Sequence, residues 1–178
     1  MASISTYSLM NSAMMALLGS LLAAPLARAD TLQISGAGLV RHCPCDVDPA
    51  DDALVEQGVL KPQATNGRYF AAVVFPRDGE TVCRFSMVYR DVNAADTVTA
   101  QLLRKRFTAG GSAAIEPVVM AKVKSAGGTP NTVRIATDST IRSGQINTNT
   151  SFYFIEVQVP TVNLEILGFQ IEVAPTCG

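Results

Sequence analysis

The sequence predicts an all-β protein, an antiparallel β-sandwich of about eight strands with a jelly-roll-like arrangement. Two observations predict this fold class. Segments of about five to ten residues with alternating apolar and polar side chains recur along the chain, separated by turn-forming Gly, Pro, Asn and Asp. No long segment repeats apolar residues at the spacing of a helix.

The N-terminal segment, residues 1–29, predicts a secretory signal peptide. Ala13 to Ala24 is an almost uninterrupted apolar run that is too short to span a bilayer, and Ala27-Arg28-Ala29 follows as a small-x-small cleavage pattern. No Lys or Arg precedes the run, which departs from the usual signal. We therefore expect export to the periplasm or the extracellular space, a single domain over residues 30–178, and no membrane insertion once the signal is removed.

The composition narrows the classes of partner and cofactor. The net charge is −1 and only 16% of the 178 residues are charged, so nothing predicts binding to nucleic acid. With 48% hydrophobic residues the chain is also unlike a disordered protein. No motif implies a cofactor, and we expect a protein or another surface as partner.

The first part of the mature chain predicts one strand and then an irregular loop. The strand covers Thr31 to Val40, where Gly36 and Gly38 indicate a bulge or a close backbone approach. Residues 41–66 predict an irregular loop stapled by disulfides, with one helical turn over Asp51 to Gln57.

The next strand and turn are strongly indicated. Arg68 to Phe75 is apolar on both faces, which predicts a central strand covered on both sides. Pro76-Arg77-Asp78-Gly79 is the strongest turn signal in the chain, because Pro fixes φ and Asp-Gly tolerates positive φ.

The segment from Thr81 to Phe107 predicts a hairpin of two long strands. Cys83, Phe85, Met87 and Tyr89 lie on one face of the first strand, and Val98, Ala100 and Leu102 would face inward on the second. Residues 91–96 between them favour a turn, because Asp and Asn side chains in this segment can bond to their own backbone. Four further strands are predicted, over Ile115 to Lys124, Thr132 to Ala136, Ser151 to Val159 and Leu164 to Val173.

A basic run and three tyrosines could each belong to a binding site, but we interpret both groups as structural. Arg104-Lys105-Arg106 ends a strand and is interpreted as a solvated edge that discourages sheet-to-sheet aggregation. Trp is absent, and Tyr69, Tyr89 and Tyr153 occur at core positions of their strands. Since sugar sites usually need exposed aromatic rings, sugar binding is not favoured.

The residues from the Pro76 turn onward carry a resemblance. The pattern is Pro76-x-Asp78-Gly79, then Phe85-x-x-x-Tyr89-x-Asp91, then Thr97-Val98-x-x-x-Leu102. It resembles a family of bacterial exported β-sandwich domains without a known activity, over roughly Arg68 to Val173. The resemblance implies the fold and no catalytic residues. The cysteine-bearing N-terminal segment and Cys83 depart from the pattern.

The four cysteines predict structural disulfides in an oxidising compartment: Cys43, Cys45, Cys83 and Cys177. A Cys-Pro-Cys segment does not easily close on itself. Cys43 and Cys45 should therefore pair with Cys83 and Cys177, and of the two possible connectivities we favour Cys45 with Cys83 and Cys43 with Cys177.

The same N-terminal segment offers two alternative metal sites. His42, Cys43 and Cys45 together carry ligands that suit zinc or copper, provided that the thiols stay reduced. Carboxylates on the following loop would suit calcium, although their spacing does not match an EF-hand: Asp46, Asp48, Asp51 and Asp52. The simpler interpretation is a solvated acidic loop.

The sequence contains few of the residues and motifs that known catalytic sites need. The chain has one His and neither a Gly-x-Ser-x-Gly nor a His-Glu-x-x-His motif, so no serine triad or zinc hydrolase is predicted. Glu156, Glu165 and Glu172 are the carboxylates that a glycosidase would need. The sequence thus predicts first a non-catalytic structural or interaction module, second a periplasmic metal-binding protein, and third a hydrolase acting on an extracellular substrate.

Overall fold

Two antiparallel sheets packed face to face make up the part of the chain that the structure, a computed structural model, describes: residues 29–41, 53–63, 65–91, 97–107, 117–127 and 131–178. The predicted all-β antiparallel sandwich is confirmed. Eleven strands occur in these residues rather than about eight. The difference comes from three short strands in or next to the segment that was predicted to be irregular.

Sheet A has six strands in the order β3-β4-β11-β6-β9, and β1 also pairs with β11. The strands are β1 (Asp30–Ser35), β3 (Ala53–Glu56), β4 (Val59–Pro62), β6 (Thr81–Asp91), β9 (Val133–Asp138) and β11 (Leu164–Ala174).

Sheet B has five strands in the order β2-β5-β10-β7-β8, so β10 lies at its centre. The strands are β2 (Val40–Arg41), β5 (Gly67–Val73), β7 (Thr99–Arg106), β8 (Val118–Lys124) and β10 (Ser151–Val159). All pairings of the described strands in both sheets are antiparallel.

The predicted hairpin between Thr81 and Phe107 is wrong, although both of its strands exist. β6 pairs with β11 and β9 in sheet A, whereas β7 pairs with β10 and β8 in sheet B. The chain crosses from one sheet to the other between them. Alternation predicts which side chains face inward. The alternating pattern of β7 would be the same whether β7 joined the sheet of β6 or the opposite sheet.

The core lies between the inner faces of the two sheets. Tyr69, Tyr89 and Tyr153 are 0%, 2% and 3% exposed, which confirms their predicted core positions. Most of the predicted inward side chains of the two long strands are likewise buried: Phe85, Met87, Val98, Ala100 and Leu102. Cys83, by contrast, is only half-buried. Side chains from both sheets thus fill one continuous core.

The first predicted strand is interrupted where glycine allows two backbones to meet. A 3-10 helix covers Gly36–Gly38 between β1 and β2, and Gly36 is buried. A Cβ atom at Gly36 would collide with the carbonyl oxygen of Ile166 on β11. The close approach that the glycines predicted is therefore confirmed at Gly36.

The predicted helical turn over Asp51 to Gln57 is wrong in its described part, where β3 and β4 form a hairpin. Gln57 and Gly58 make its two-residue turn with φ values of 52° and 83°. Positive φ at both central residues is typical of the turn that matches strand twist. The hairpin joins the sandwich through Leu60, which is fully buried and pairs with Ile166.

Cys83 forms a disulfide with Cys177, so the prediction that these two cysteines pair with Cys43 and Cys45 is wrong in both of its possible connectivities. The pairing follows from strand order. Thr81 pairs with Ala174 at the end of β11, which places both cysteines at the same end of two neighbouring strands, with their Cα atoms 5.3 Å apart. The bond fixes the C-terminal tail to β6. Cys43 and Cys45 lie outside the described residues.

The basic run at the end of β7 is not an edge, because β7 is paired on both sides. Arg104 is buried and donates from Nη1 to the carbonyl oxygens of Ser143 and Gln145, at 3.3 and 3.5 Å. The interpretation of the run as a solvated edge is therefore wrong for Arg104.

Within the described residues, no helix has the length and apolar character needed to cross a bilayer.

Candidate ligand-binding face of sheet B

The outer face of sheet B carries the strongest candidate site. Arg68 and Ala72 on β5 are exposed, so the prediction that Arg68 to Phe75 is covered on both sides is wrong. A two-layer sandwich buries only one face of each sheet, and no described element packs over this one. The antiparallel register places outward side chains of β5, β10, β7 and β8 side by side.

Four phenylalanine rings form a row across this face, which we call the aromatic row: Phe70, Phe154, Phe152 and Phe107. Neighbouring ring centroids are 6.0 Å apart for Phe70 and Phe154, 5.9 Å for Phe154 and Phe152, and 5.4 Å for Phe152 and Phe107. The rings are tilted by 31° to 45° relative to one another. They come from β5, β10 and the residue after β7.

The aromatic row faces solvent because of strand alternation. On β10, Tyr153 and Ile155 point into the core, so Phe152 and Phe154 point outward. Phe152 is 42% exposed and Phe107 is 59% exposed, while Phe70 and Phe154 are half-buried. Contiguous exposed apolar surface of this kind is typical of a binding face.

Smaller apolar side chains extend the row toward the sheet edge. Phe154 lies opposite Ala72 on β5 and Leu103 on β7, and Leu103 lies opposite Val119 on β8. Val119 is 37% exposed, whereas Leu103 is only 4% exposed. One half of the outer face, which we call the apolar half, thus runs across four strands.

The other half of the face is polar and is organised around Glu156. Its carboxylate is nearly buried, with the side chain 11% exposed. Arg68 reaches it from β5 with Nη2 2.6 Å from Oε1, and Gln158 Nε2 donates to the same oxygen at 3.1 Å. These contacts hold the carboxylate in a fixed position next to its cross-strand partner Phe70.

Further polar groups continue this half toward β8. Gln101 lies between Glu156 and Lys122, and Thr99 lies between Gln158 and Lys124. A cleft of about 390 Å³ opens where Gln158 and Thr99 lie, between β5, β10 and β7. It is lined in part by Asn66, Arg68, Thr97, Thr99 and Gln158.

Tyr69 lies beneath the site, on the inner face of β5. Burial raises the pKa of its phenol, and the positive charge of Arg41 offsets this only partly. The phenol therefore stays protonated at neutral pH and adds no charge under the polar half.

The predicted metal-ligand residues lie outside the described residues: His42, Cys43, Cys45, Asp46, Asp48, Asp51 and Asp52. The zinc or copper site and the calcium site stay predictions. Within the described part of the chain, no three His, Cys, Asp or Glu side chains converge as metal ligands would.

The three carboxylates considered for glycoside cleavage are not brought together. Glu156 lies on sheet B, whereas Glu165 and Glu172 lie on β11 in sheet A. Those two are separated by roughly 20 Å at the rise of a strand. Each is paired on the outer face of sheet A, Glu165 with Arg90 and Glu172 with Arg84. A glycosidase pair must lie within about 10 Å.

Sequence reasoning missed the aromatic row because it considered only tyrosine as an exposed ring. A usable signal was present in Ser151 to Val159. Phe152, Phe154, Glu156 and Gln158 share one phase of the strand, while Tyr153, Ile155 and Val157 share the other. The phase that ends in Glu and Gln is the outward one, so both phenylalanines had to face outward with them.

No protein-family model matches the sequence, and no curated protein matches it. Among solved structures, the chain is similar to "xylan-binding module CBM15", with a TM-score of 0.51 and 11% identity over 82% of this chain and 97% of that one. It is also similar to a xylan-binding domain from CBM 22 (TM-score 0.47, 12% identity, 83% and 96% covered). A family 29 carbohydrate binding module from Piromyces equi is a third (TM-score 0.41, 11% identity, 84% and 92% covered). At these identities the likeness concerns the fold.

Proposed function

We propose that the protein is an exported, non-catalytic module that binds a polysaccharide on the outer face of sheet B. The observation that carries the proposal is the aromatic row, four phenylalanine rings 5.4 to 6.0 Å apart on one sheet surface. The proposal keeps the protein in the class of interaction modules expected from the sequence and names a sugar chain as its partner, where a protein or another surface was expected.

Aromatic rings suit sugars for a physical reason. The face of a ring is electron-rich, and one face of a pyranose carries C–H groups that pack against it. Phenylalanine has few rotatable bonds, so ordering its ring on a ligand costs little conformational entropy. A row of such rings can support several consecutive sugar units.

The polar half supplies hydrogen-bond donors and acceptors for the hydroxyl groups of a sugar. Gln101 and Gln158 each carry an amide that donates and accepts, and the carboxylate of Glu156 can accept more bonds than the two it makes. Strands hold all three, so the groups are positioned before the ligand arrives, which lowers the cost of binding.

Two further findings support the proposal. The disulfide between Cys83 and Cys177 is typical of proteins in oxidising compartments, as an exported module would be. The sandwich is also the fold shared with a xylan-binding module. Export itself is part of the proposal.

A second candidate is a module that binds a protein through the same face. The apolar half favours it, since exposed phenylalanines also fill pockets on protein partners. The polar half distinguishes the candidates, because a mostly apolar protein contact would gain little from Gln101 and Gln158.

Binding to soluble polysaccharides tests the proposal directly. Affinity electrophoresis of the mature chain on gels that contain xylan, mannan, mixed-linkage glucan or polygalacturonate should show retardation by at least one polymer. Phe152→Ala and Phe154→Ala should weaken that binding about 10- to 30-fold, the loss expected when an aromatic anchor is removed. Calorimetric titration gives the dissociation constants.

Two exposed apolar residues of sheet A provide matched controls. Val133 and Ile135 on β9 are 47% and 61% exposed and lie on the opposite side of the molecule. Val133→Ala and Ile135→Ala should leave sugar binding unchanged. Equal losses from both pairs of variants, or no retardation by any polymer, would contradict the proposal.

A further inference from the structure

We infer that the ligand is an acidic polysaccharide, a chain with uronic-acid carboxylates, and that Lys122 and Lys124 on β8 contact those carboxylates. The inference rests on the proposed function and goes further by naming the class of sugar. It is argued from the distribution of charge over the two outer faces of the sandwich.

The outer face of sheet B carries an excess of positive charge. Its described residues include one carboxylate, that of Glu156, and four cationic side chains: Arg68, Lys105, Lys122 and Lys124. Arg68 is committed to Glu156 at 2.6 Å. The pair is internally neutral, and three lysines remain.

None of the described carboxylates lies within ion-pair distance of the side chains of Lys105, Lys122 or Lys124. Lys122 and Lys124 are exposed, and Lys105 is half-buried beside Phe152. The carboxylate of Asp138 accepts from the backbone N–H of Lys122 at 2.9 Å, a contact that does not involve the ammonium group.

The outer face of sheet A is arranged differently. Its cations are paired with carboxylates on β11: Arg84 with Glu172 at 3.0 Å, Arg90 with Glu165 at 2.8 Å, and Lys61 with Glu165 at 3.6 Å. The unpaired lysines are therefore a property of the face that carries the aromatic row, not of the whole surface.

The register connects the lysines to the sugar-binding groups. Lys122 lies opposite Gln101, which lies opposite Glu156, and Lys124 continues the next row through Thr99 to Gln158. A sheet row of four strands spans about 14 Å at the usual strand spacing. A sugar chain that packs on the rings and bonds to the amides thus comes within reach of both ammonium groups.

Lysine suits this role. Its ammonium group is a compact charge on a flexible stem, so it can follow a carboxylate whose orientation varies along a polymer. Because these contacts are exposed, their strength should fall as salt shortens the screening distance from about 10 Å at 0.1 M to about 3 Å at 1 M.

The experiment compares acidic polymers with neutral polymers of the same backbone. The probes are polygalacturonate, alginate and glucuronoxylan, each beside its carboxyl-reduced counterpart, titrated into the mature chain at low and high sodium chloride. We expect at least one acidic polymer to bind more tightly than its reduced form, with the difference shrinking at high salt. Lys122→Gln with Lys124→Gln should weaken that binding about 3- to 10-fold, as two exposed ion pairs would.

The double variant Lys61→Gln with Arg84→Gln is the matched control, because it removes two charges from sheet A and should leave binding unchanged. Tighter or equal binding of the reduced polymers overturns the inference while the proposed function stands. Binding to no polymer overturns both. Equally tight binding of dextran sulfate, with the same loss in both double variants, would show unspecific attraction between charges and would also overturn the inference.

Discussion

Arg68 and Glu156 form an ion pair with only one exposed partner, since the side chain of Arg68 is 58% exposed and that of Glu156 is 11% exposed. This asymmetry determines what each truncation should do. A buried carboxylate that loses its cation cannot recover full hydration, whereas an exposed guanidinium can.

We therefore expect Arg68→Ala to reduce the free energy of unfolding by about 1–3 kcal/mol, the cost of leaving a buried charged acceptor poorly paired. Glu156→Ala should cost under about 1 kcal/mol, because Arg68 then turns to water. Urea unfolding of both variants and of the double variant measures the two costs and their coupling. A larger cost for Glu156→Ala than for Arg68→Ala would contradict this account of the pair.

Truncation of two adjacent residues on β10, Tyr153 and Phe152, should lower stability by very different amounts. Tyr153 is 3% exposed, packs edge-on against Phe75 at 4.9 Å, and its hydroxyl accepts from the backbone N–H of Asn147 at 2.7 Å. Tyr153→Ala should cost about 3–5 kcal/mol of stability. Phe152→Ala should cost roughly 1 kcal/mol or less, because water already reaches its ring.

Calorimetric melting of the two variants checks this contrast, with Tyr153→Phe as a control that keeps the ring. If Phe152→Ala unfolds as readily as Tyr153→Ala, the aromatic row is part of the packing that holds the sandwich together, and its loss of sugar binding could not be read as a loss of contact.

For β6 and β7 the sequence was sufficient to predict most of the side chains that face the core. Alternation alone placed Phe85, Met87 and Tyr89 correctly, since burial requires only that one phase be apolar. Alternation does not encode which strand becomes the neighbour. That is why β6 and β7 were predicted as a hairpin although β6 pairs with β11, far along the chain.

The candidate site could be predicted only in part, for a related reason. Phe70 lies in a strand with apolar residues in both phases, and this pattern is compatible both with a strand covered on two faces and with a strand that exposes one face. The two possibilities are distinguished only by the number of layers that pack against the sheet in the folded protein. The disulfide pairing could not be predicted without the order of the strands, because Cys177 is close to Cys83 only when β11 lies beside β6.

Two glycines of the 3-10 helix should tolerate alanine very differently. At Gly36 a Cβ atom would meet the backbone of Ile166, which cannot move without disturbing β11. At Gly38 its nearest neighbour would be the side chain of Ile34 at 3.9 Å, an ordinary contact. We expect Gly36→Ala to cost about 1–3 kcal/mol, as overpacking does, and Gly38→Ala to leave stability within about 1 kcal/mol. Thermal unfolding measures both, and similar losses would contradict the assigned close approach.

Peptide mapping without reduction should recover one linked pair, with Cys83 and Cys177 in the two peptides. The structure pairs these residues, and the chain contains two other cysteines, Cys43 and Cys45. A Cys-Pro-Cys segment does not easily close on itself. Thiol titration of the unfolded, unreduced monomer should therefore find two thiols. Finding none would show that Cys43 and Cys45 close on each other, and a peptide linking either of them to Cys83 would restore the connectivity expected from the sequence.

Removing the disulfide should destabilise the sandwich without changing its fold. The bond closes a loop with a sequence separation of 94, and removing a disulfide typically lowers stability by about 2–4 kcal/mol. Cys83→Ser with Cys177→Ser should lower the urea midpoint accordingly and keep the β-sheet circular dichroism spectrum. Sugar binding should persist, because the aromatic row lies on sheet B while Cys83 lies on β6 of sheet A. Loss of binding in a variant that is still folded would show that the C-terminal tail supports the binding face across the core.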